Sequence, residues 1–175
     1  MKKTFYIICA LIITCSWSQA QTLDNVMLDK GTREISLEGD FSTTGSAGSE
    51  IDLSLGYGYF IKDFLEIGVA IDYLDNDFVS NAGINVFGEY NYDTFTNWIP
   101  FFGLGIGFSD FDAVVVEASS ALTVNGFGGI KIFLTEYLAL SGKLLLEIAS
   151  DDIYYDNGDA ESINLGLDFG IRVFF

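Results

Sequence analysis

Residues 162–175 alternate. Ile163, Leu165, Leu167, Phe169, Ile171, Val173 and Phe175 take every second place. Ser162, Asn164, Gly166, Asp168, Gly170 and Arg172 fill the places between, broken only by Phe174. A period of two sends successive side chains to opposite sides of a β-strand, so this strand has one apolar and one polar face. It is longer than the usual soluble strand of about 5–6 residues. Its length suits a strand that crosses a membrane at a tilt, roughly 9–11 residues.

Seven earlier segments repeat the pattern, over residues 34–41, 51–61, 65–73, 84–92, 100–109, 122–132 and 138–148. Pro100 is tolerable because it opens its strand. The connections alternate in length. Residues 42–50, 75–81, 110–120 and 149–161 read as long loops. Lys62-Asp63, residues 93–97 and Leu134-Thr135-Glu136 read as short turns. An even strand count with short turns on one side and long loops on the other fits a transmembrane barrel with its turns in the periplasm. Tyr59, Phe64, Tyr92, Trp98, Tyr137 and Phe175 gather at the turn side. Aromatic rings there suit the head-group layer, half apolar and half wet.

Volume decides which face is outside. Eight strands enclose a space that side chains just fill, or that holds one small ligand. The apolar set is mostly Leu, Ile, Phe and Tyr, whereas the other set is rich in Gly, Ser, Asn and Ala. Large residues therefore belong on the outer perimeter, with Gly103, Gly105 and Gly107 making room inside for Phe87 and Phe127. The polar set also carries Glu38, Asp52, Glu66, Asp72 and the charges named next. A Lys or Arg facing lipid at mid-depth costs about 2–4 kcal/mol. Turned inward, Glu89, Lys131, Lys143, Glu147, Asp168 and Arg172 form a lumen charge network, in which Lys143 and Arg172 pair with Asp168 or Glu89. The expected fold is all-β, an eight-stranded antiparallel up-and-down transmembrane β-barrel over residues 33–175.

The first residues are separate. Met1-Lys2-Lys3 is a basic start, residues 5–15 are a short apolar run, and Ser18-Gln19-Ala20 offers small residues to a signal peptidase. Residues 1–20 read as a secretory signal peptide and 21–32 as a polar tail. Both cysteines, Cys9 and Cys15, fall in the signal. The expected mature chain therefore has no disulfide and no cysteine metal site. Residues 12–15 depart twice from the lipoprotein pattern that would lipidate Cys15. Removing the signal takes the formal charge from −17 to −19. Such a surface repels nucleic-acid phosphates, and it meets anionic lipid head groups only through divalent cations.

The chain resembles the small eight-stranded outer-membrane barrels of the OmpA/OmpX-like class. The stretches that carry the resemblance are residues 55–60 running through Lys62-Asp63 to 65–68, the glycine alternation of 101–108, and the ending Phe169-x-Ile171-x-Val173-x-Phe175. The resemblance implies a bacterial outer-membrane location among lipid and lipopolysaccharide. It also implies that Phe169, Ile171, Val173 and Phe175 are an assembly signal read by the barrel assembly machinery. The peptidoglycan-binding domain that some relatives append is expected to be absent.

No catalytic site is expected. The chain has no histidine, which removes the commonest general base and any Ser-His-Asp arrangement. The glycine strings lack the phosphate-cradle spacing and precede no helix. Asp151, Asp152, Asp156, Asn157, Asp159 and Glu161 match no calcium-loop register and read as a solvated acidic loop. No cofactor or metal is expected. The reading is a monomeric, non-enzymatic barrel with a plugged lumen and a structural or adhesive role through its outside loops. A small solute or ion channel and a soluble periplasmic ligand-binding barrel are the alternatives.

Overall fold

The structure is a computed structural model that describes residues 26–45, 48–75, 79–113, 116–151, 154–156 and 159–175. The expected signal peptide, with Cys9 and Cys15, lies outside the described residues. So do the first five residues of the tail and Asp152 and Asn157 of the last loop.

The strands are β1 (Arg33–Gly45), β2 (Gly48–Lys62), β3 (Leu65–Asp75), β4 (Val79–Asn91), β5 (Trp98–Ala113), β6 (Val116–Thr135), β7 (Leu138–Ala149), β8 (Tyr154–Asp156), β9 (Asp159–Glu161) and β10 (Ile163–Phe174). Eight of them close a barrel in the order β1-β10-β7-β6-β5-β4-β3-β2, and β8 with β9 forms a separate two-stranded ribbon. Every neighbouring pair in the barrel is antiparallel. Closure gives each barrel strand a neighbour on both sides, which is what backbone amides in lipid require. The expected eight-stranded architecture is the observed one.

Three loops are shorter than the sequence pattern gives. β1 and β2 run into 42–50, β4 begins at Val79, and β5 and β6 extend through 110–113 and 116–120. The last loop contains β8 and β9. An antiparallel ladder needs no buried face to persist beyond the membrane, so loss of alternation does not end a strand.

The two faces are inverted relative to a soluble barrel. Leu165 is 73% exposed and Leu104 is 72% exposed, and Ile71, Val86, Ile106, Leu144 and Phe169 also stand on the outer surface. Glu34, Glu38, Glu66, Glu89, Lys131 and Arg172 are buried. Small residues admit large ones across the lumen. A Cβ at Gly103 would collide with the Phe127 ring, and one at Gly68 with the Phe87 ring. Phe87 and Phe127 meet edge to face at 6.2 Å. The pairing is finer than the sequence pattern gives: Gly105 and Gly107 make room for Asn85, Asn125 and Thr123, not for the phenylalanines. At the β1–β10 seam the register runs from Glu34↔Phe174 to Gly39↔Phe169. A Cβ at Gly170 would stand 2.5 Å from Glu38 Cγ, so glycine lets the two strands close there.

The tail is not a loose segment where it is described. Leu28 is fully buried in a cluster with Phe60, Ile99, Phe133, Ala139 and Phe174, and Val26, Met27 and Phe64 pack against it. Phe64 N–H donates to Leu28 O at 2.8 Å, and Gly31 N–H to Phe60 O at 2.8 Å. The segment therefore stoppers the turn-side mouth. Phe64, expected among the interfacial aromatics, turns inward with φ 64° and joins the stopper. Tyr59, Tyr92, Trp98, Tyr137 and Phe175 remain exposed.

Candidate functional site

The lumen holds its charges in two layers above the stopper. The deeper layer starts with a like-charge conflict. Glu66 on β3 lies directly opposite Glu89 on β4 in the register, and like charges facing across strands destabilise a sheet. Lys131 from β6 and Arg172 from β10 reach across the lumen to offset it. Lys131 Nζ stands 2.6 Å from Glu89 Oε1, 2.8 Å from Glu34 Oε2 and 3.8 Å from Glu66 Oε2. Arg172 Nη1 donates to Glu34 Oε1 at 2.8 Å and to Glu89 Oε2 at 3.0 Å, and its Nη2 is 2.6 Å from Glu38 Oε1.

The second layer is nearer the loops. Lys143 Nζ pairs with Glu38 and lies 3.4 Å from Asp168 Oδ2. Ser141 Oγ donates to Glu38 Oε1 at 3.3 Å. Glu147 is on the same lumen face, in register with Asn125 on one side and Asn164 on the other.

Aromatic faces surround the cations. The Lys131 ammonium sits 5.3 Å from the ring centres of Phe101 and Phe174 and 5.9 Å from Phe60. The Arg172 guanidinium stacks 4.6 Å from Phe101. Desolvated cations over such faces gain up to about 2 kcal/mol or more each. Buried ion pairs otherwise recover their desolvation cost only with good geometry and full hydrogen bonding. Glu66 departs from that rule: its side chain is fully buried and neither oxygen has a hydrogen-bond partner. A Cβ at Gly58 would overlap the Glu66 carboxylate, so this glycine is what lets the acid lie against the wall.

Among the described residues, Glu34, Glu66 and Glu89 bring carboxylate oxygens within 4.8 Å of one another, a grouping able to hold a metal ion. The Lys131 ammonium stands among these oxygens and supplies the positive charge there. Of the residues expected in the network, Glu89, Lys131 and Arg172 meet in the deep layer and Lys143 and Asp168 in the upper one, while Glu147 lies further toward the loops on the same lumen face, in register with Asn125 and Asn164. Glu34, Glu38 and Glu66 join them from outside the expected set, although all three occupy the polar phase of their strands. Height along the barrel axis, which alternation does not encode, is what brings them in.

Above the ion pairs a cavity of about 120 Å³ occupies the loop-side half of the lumen. Its walls include Asp72, Asn85, Thr123, Asn125, Glu147 and Asn164.

No family model matches the chain, and no curated protein matches it. Solved structures do match. The chain is similar to the N-terminal β-barrel domain of Pseudomonas aeruginosa OprF, with a TM-score of 0.62 at 14% identity, over 83% of this chain and 98% of that one. Neisserial surface protein A aligns with a TM-score of 0.58 at 17% identity, over 82% of this chain and 95% of that one. The outer membrane protein OprG of Pseudomonas aeruginosa aligns with a TM-score of 0.56 at 12% identity, over 87% and 99%. The fold is that of the small eight-stranded outer-membrane β-barrels.

Proposed function

We propose that the protein is an integral, monomeric β-barrel of the bacterial outer membrane with a plugged lumen, acting through its outside loops in a structural or adhesive capacity. One observation carries the reading. The Leu, Ile, Val and Tyr side chains of the apolar phase stand on the outer surface of the barrel strands, while the charges of Lys131 and Arg172 with their acids and the Leu28 stopper lie buried inside. Outer-membrane lipid and lipopolysaccharide cover the outer face. The ending Phe169, Ile171, Val173 and Phe175, exposed on β10 and just after it, is the signal offered to the barrel assembly machinery. The barrel is not an enzyme in this reading, since the chain has no histidine and the lumen carboxylates of Glu34, Glu38 and Glu89 are engaged by Lys131, Lys143 and Arg172.

The test uses the mature chain folded in detergent, with Leu165→Cys and Asp168→Cys made singly. Folded barrel runs at a different gel mobility from boiled barrel. In lipid vesicles, the thiol of the Leu165→Cys variant is expected to react with a membrane-partitioned maleimide and to resist a charged one. Water-accessible labelling at 165 with lipid-accessible labelling at 168, or extraction without detergent, sinks the membrane reading in favour of a soluble barrel. Steady single-channel conductance in planar bilayers would replace the plugged lumen with the channel alternative.

A further inference from the structure

The β1–β10 seam is zipped for only part of its length. The ladder runs from Glu34↔Phe174 to Gly39↔Phe169 and stops, although β1 continues to Gly45 and β10 begins at Ile163. Beyond that point each strand keeps its other neighbour. Asp40, Phe41 and Ser42 stay paired with β2, and Ile163 through Asp168 with β7. Among the described residues no pairing joins the two stretches. The packing parts at the same place. A Cβ at Gly170 would stand 2.6 Å from Leu37 O across the seam. One at Gly166 would meet Asp168 Oδ1 at 3.6 Å and Leu145 Cβ at 3.9 Å and, among the described residues, nothing of β1. Asn164, on the polar phase, is exposed beside it.

Charge gives a reason for the parting. One more step of the register would set Asp40 opposite Asp168. Asp40 already has Asp52 opposite it on β2, and Asp168 has Lys143 opposite it on β7. Such a row would join Asp52, Asp40 and Asp168 to a single cation, Lys143, which Glu38 already shares. Like charges facing across strands destabilise a sheet. The parting leaves backbone groups to satisfy. Arg33 and Phe175 exchange both backbone hydrogen bonds, so every second residue of β10 turns its N–H toward β1. Val173, Ile171 and Phe169 do so within the ladder, and Leu167 and Leu165 beyond it. Unmade N–H and C=O groups are costly in lipid, so the parted stretch calls for a polar partner.

The loop-side cavity meets this gap. Gly39 lines it from the β1 lip, and Asn164 and Asp168 from the β10 lip. Its wall above the ion pairs is rich in neutral polar groups, among them Ser54, Asn85, Thr123 and Asn125. Asn85 Oδ1 and Asn125 Oδ1 have no hydrogen-bond partner. The outside of the β10 lip is apolar, with Ile163, Leu165 and Leu167 exposed. A polar chamber behind an apolar lip fits a molecule divided in the same way. We propose that the parted seam is a lateral portal, through which the neutral, hydroxyl- and ester-bearing head of a single-chain amphiphile of the monoacylglycerol type enters the cavity from the outer leaflet. Its oxygens accept from the Leu165 and Leu167 N–H groups, and its hydroxyls donate to the cavity amides. Its chain stays in lipid against the β10 leucines. Size enforces the division: about 120 Å³ holds roughly ten waters, at about 10–15 Å³ each, which is room for a glycerol-sized head and not for an acyl chain. A carboxylate head would meet Asp72 on the same wall. The proposal rests on the outer-membrane reading of the barrel.

Nuclear magnetic resonance on the folded barrel in phosphatidylcholine bicelles tests both halves. The Leu165 and Leu167 amides are expected to exchange with solvent about a hundredfold or more faster than those of Phe169 and Ile171. Added 1-monolauroylglycerol is expected to shift the Asn85 and Asn164 side-chain amide signals saturably, whereas free glycerol and sodium laurate leave them unchanged. Asp40→Lys gives the row a second cation and is expected to zip the seam, slowing exchange at Leu165 and Leu167 and weakening binding of the monoacylglycerol about tenfold or more. Asn85→Leu, on the far wall, is expected to weaken binding and leave that exchange fast, so the two variants separate the portal from the pocket. Heat-modifiable mobility shows that each variant is folded. Protection of Leu165 and Leu167 equal to that of Phe169 overturns the portal. No saturable shift, or laurate binding as well as the monoacylglycerol, overturns the occupant, and an equal shift from free glycerol overturns the lateral route in favour of entry through the loops. Each of these leaves the membrane reading standing, because that reading fails on a different result, a barrel that stays soluble without detergent.

Discussion

Replacing Lys131 by Met removes one charge from the middle of the lumen while keeping an unbranched apolar stem. The deep layer has three carboxylates, Glu34, Glu66 and Glu89, and two cations, Lys131 and Arg172. After the change Arg172 alone faces all three acids. Breaking a buried pair on one side costs about 3–5 kcal/mol, because the stranded charge stays desolvated. A Met thioether against Phe60, Phe101 and Phe174 returns only about 0.3–1.5 kcal/mol per ring contact. The net expectation for Lys131→Met is a loss of roughly 2–4 kcal/mol. Glu66 predicts the opposite sign. It receives no hydrogen bond and has Lys131 only at 3.8 Å, so Glu66→Gln is expected to be neutral or stabilising. Added to Lys131→Met, it is expected to recover about 1–3 kcal/mol by removing one uncompensated charge. Urea unfolding from phospholipid vesicles measures all four corners of this cycle. In a chain beginning at Gln21, Trp98 is the one tryptophan, so its fluorescence reports the transition from the turn-side rim. A Lys131→Met barrel within about 1 kcal/mol of wild type, or a Glu66→Gln barrel as unstable as Lys131→Met, refutes the idea that cross-lumen cations hold the β3–β4 acids together.

The same unfolding measurement checks two further expectations. Gly103→Ala puts a methyl into the Phe127 ring and 2.5 Å from Gly88 O, and should cost about 1–3 kcal/mol by overpacking; Gly126→Ala, whose nearest neighbour is Leu104 Cδ2 at 3.5 Å, should stay within about 0.5 kcal/mol. Leu28→Ala empties the centre of the turn-side stopper and should cost about 2–5 kcal/mol, whereas an unchanged midpoint would mean that the tail does not seal the barrel.

Alternation makes the wall legible. It yields the eight strands, their faces and the inside position of Lys131, Lys143 and Arg172, because side-chain direction in a strand depends only on odd or even count. Alternation does not measure height, and partner choice across a lumen is a matter of height. Glu34 and Glu66 share Lys131 although 32 positions separate them in the chain. The stopper does leave a trace. The polar phase turns apolar near the turn side at Phe60, Ile99, Phe133, Ala139 and Phe174, and the break at Phe174 is one member of that set. Leu28 leaves no such trace, since the short run Val26-Met27-Leu28 has no period of two to mark which of its residues turns into the barrel.

The two ends of the lumen follow from that uneven filling. In a soluble barrel the apolar interior would hold the wall together; here the apolar side chains belong to lipid, and a lipid tail attracts them no more than another chain would. Cohesion then rests on the closed hydrogen-bond ladder and on what crosses the lumen. At the turn side, apolar groups cross: Leu28 bridges β2, β5, β6, β7 and β10 through the cluster it joins. At mid-height charges cross, tying β1, β3, β4, β6, β7 and β10 by cations that each reach at least two acids. Toward the loops the crossing contacts give way to the acidic cavity. In the proposed reading, the stopper and the ion pairs anchor the turn-side and middle parts of the lumen, and the loop end is left to act outside.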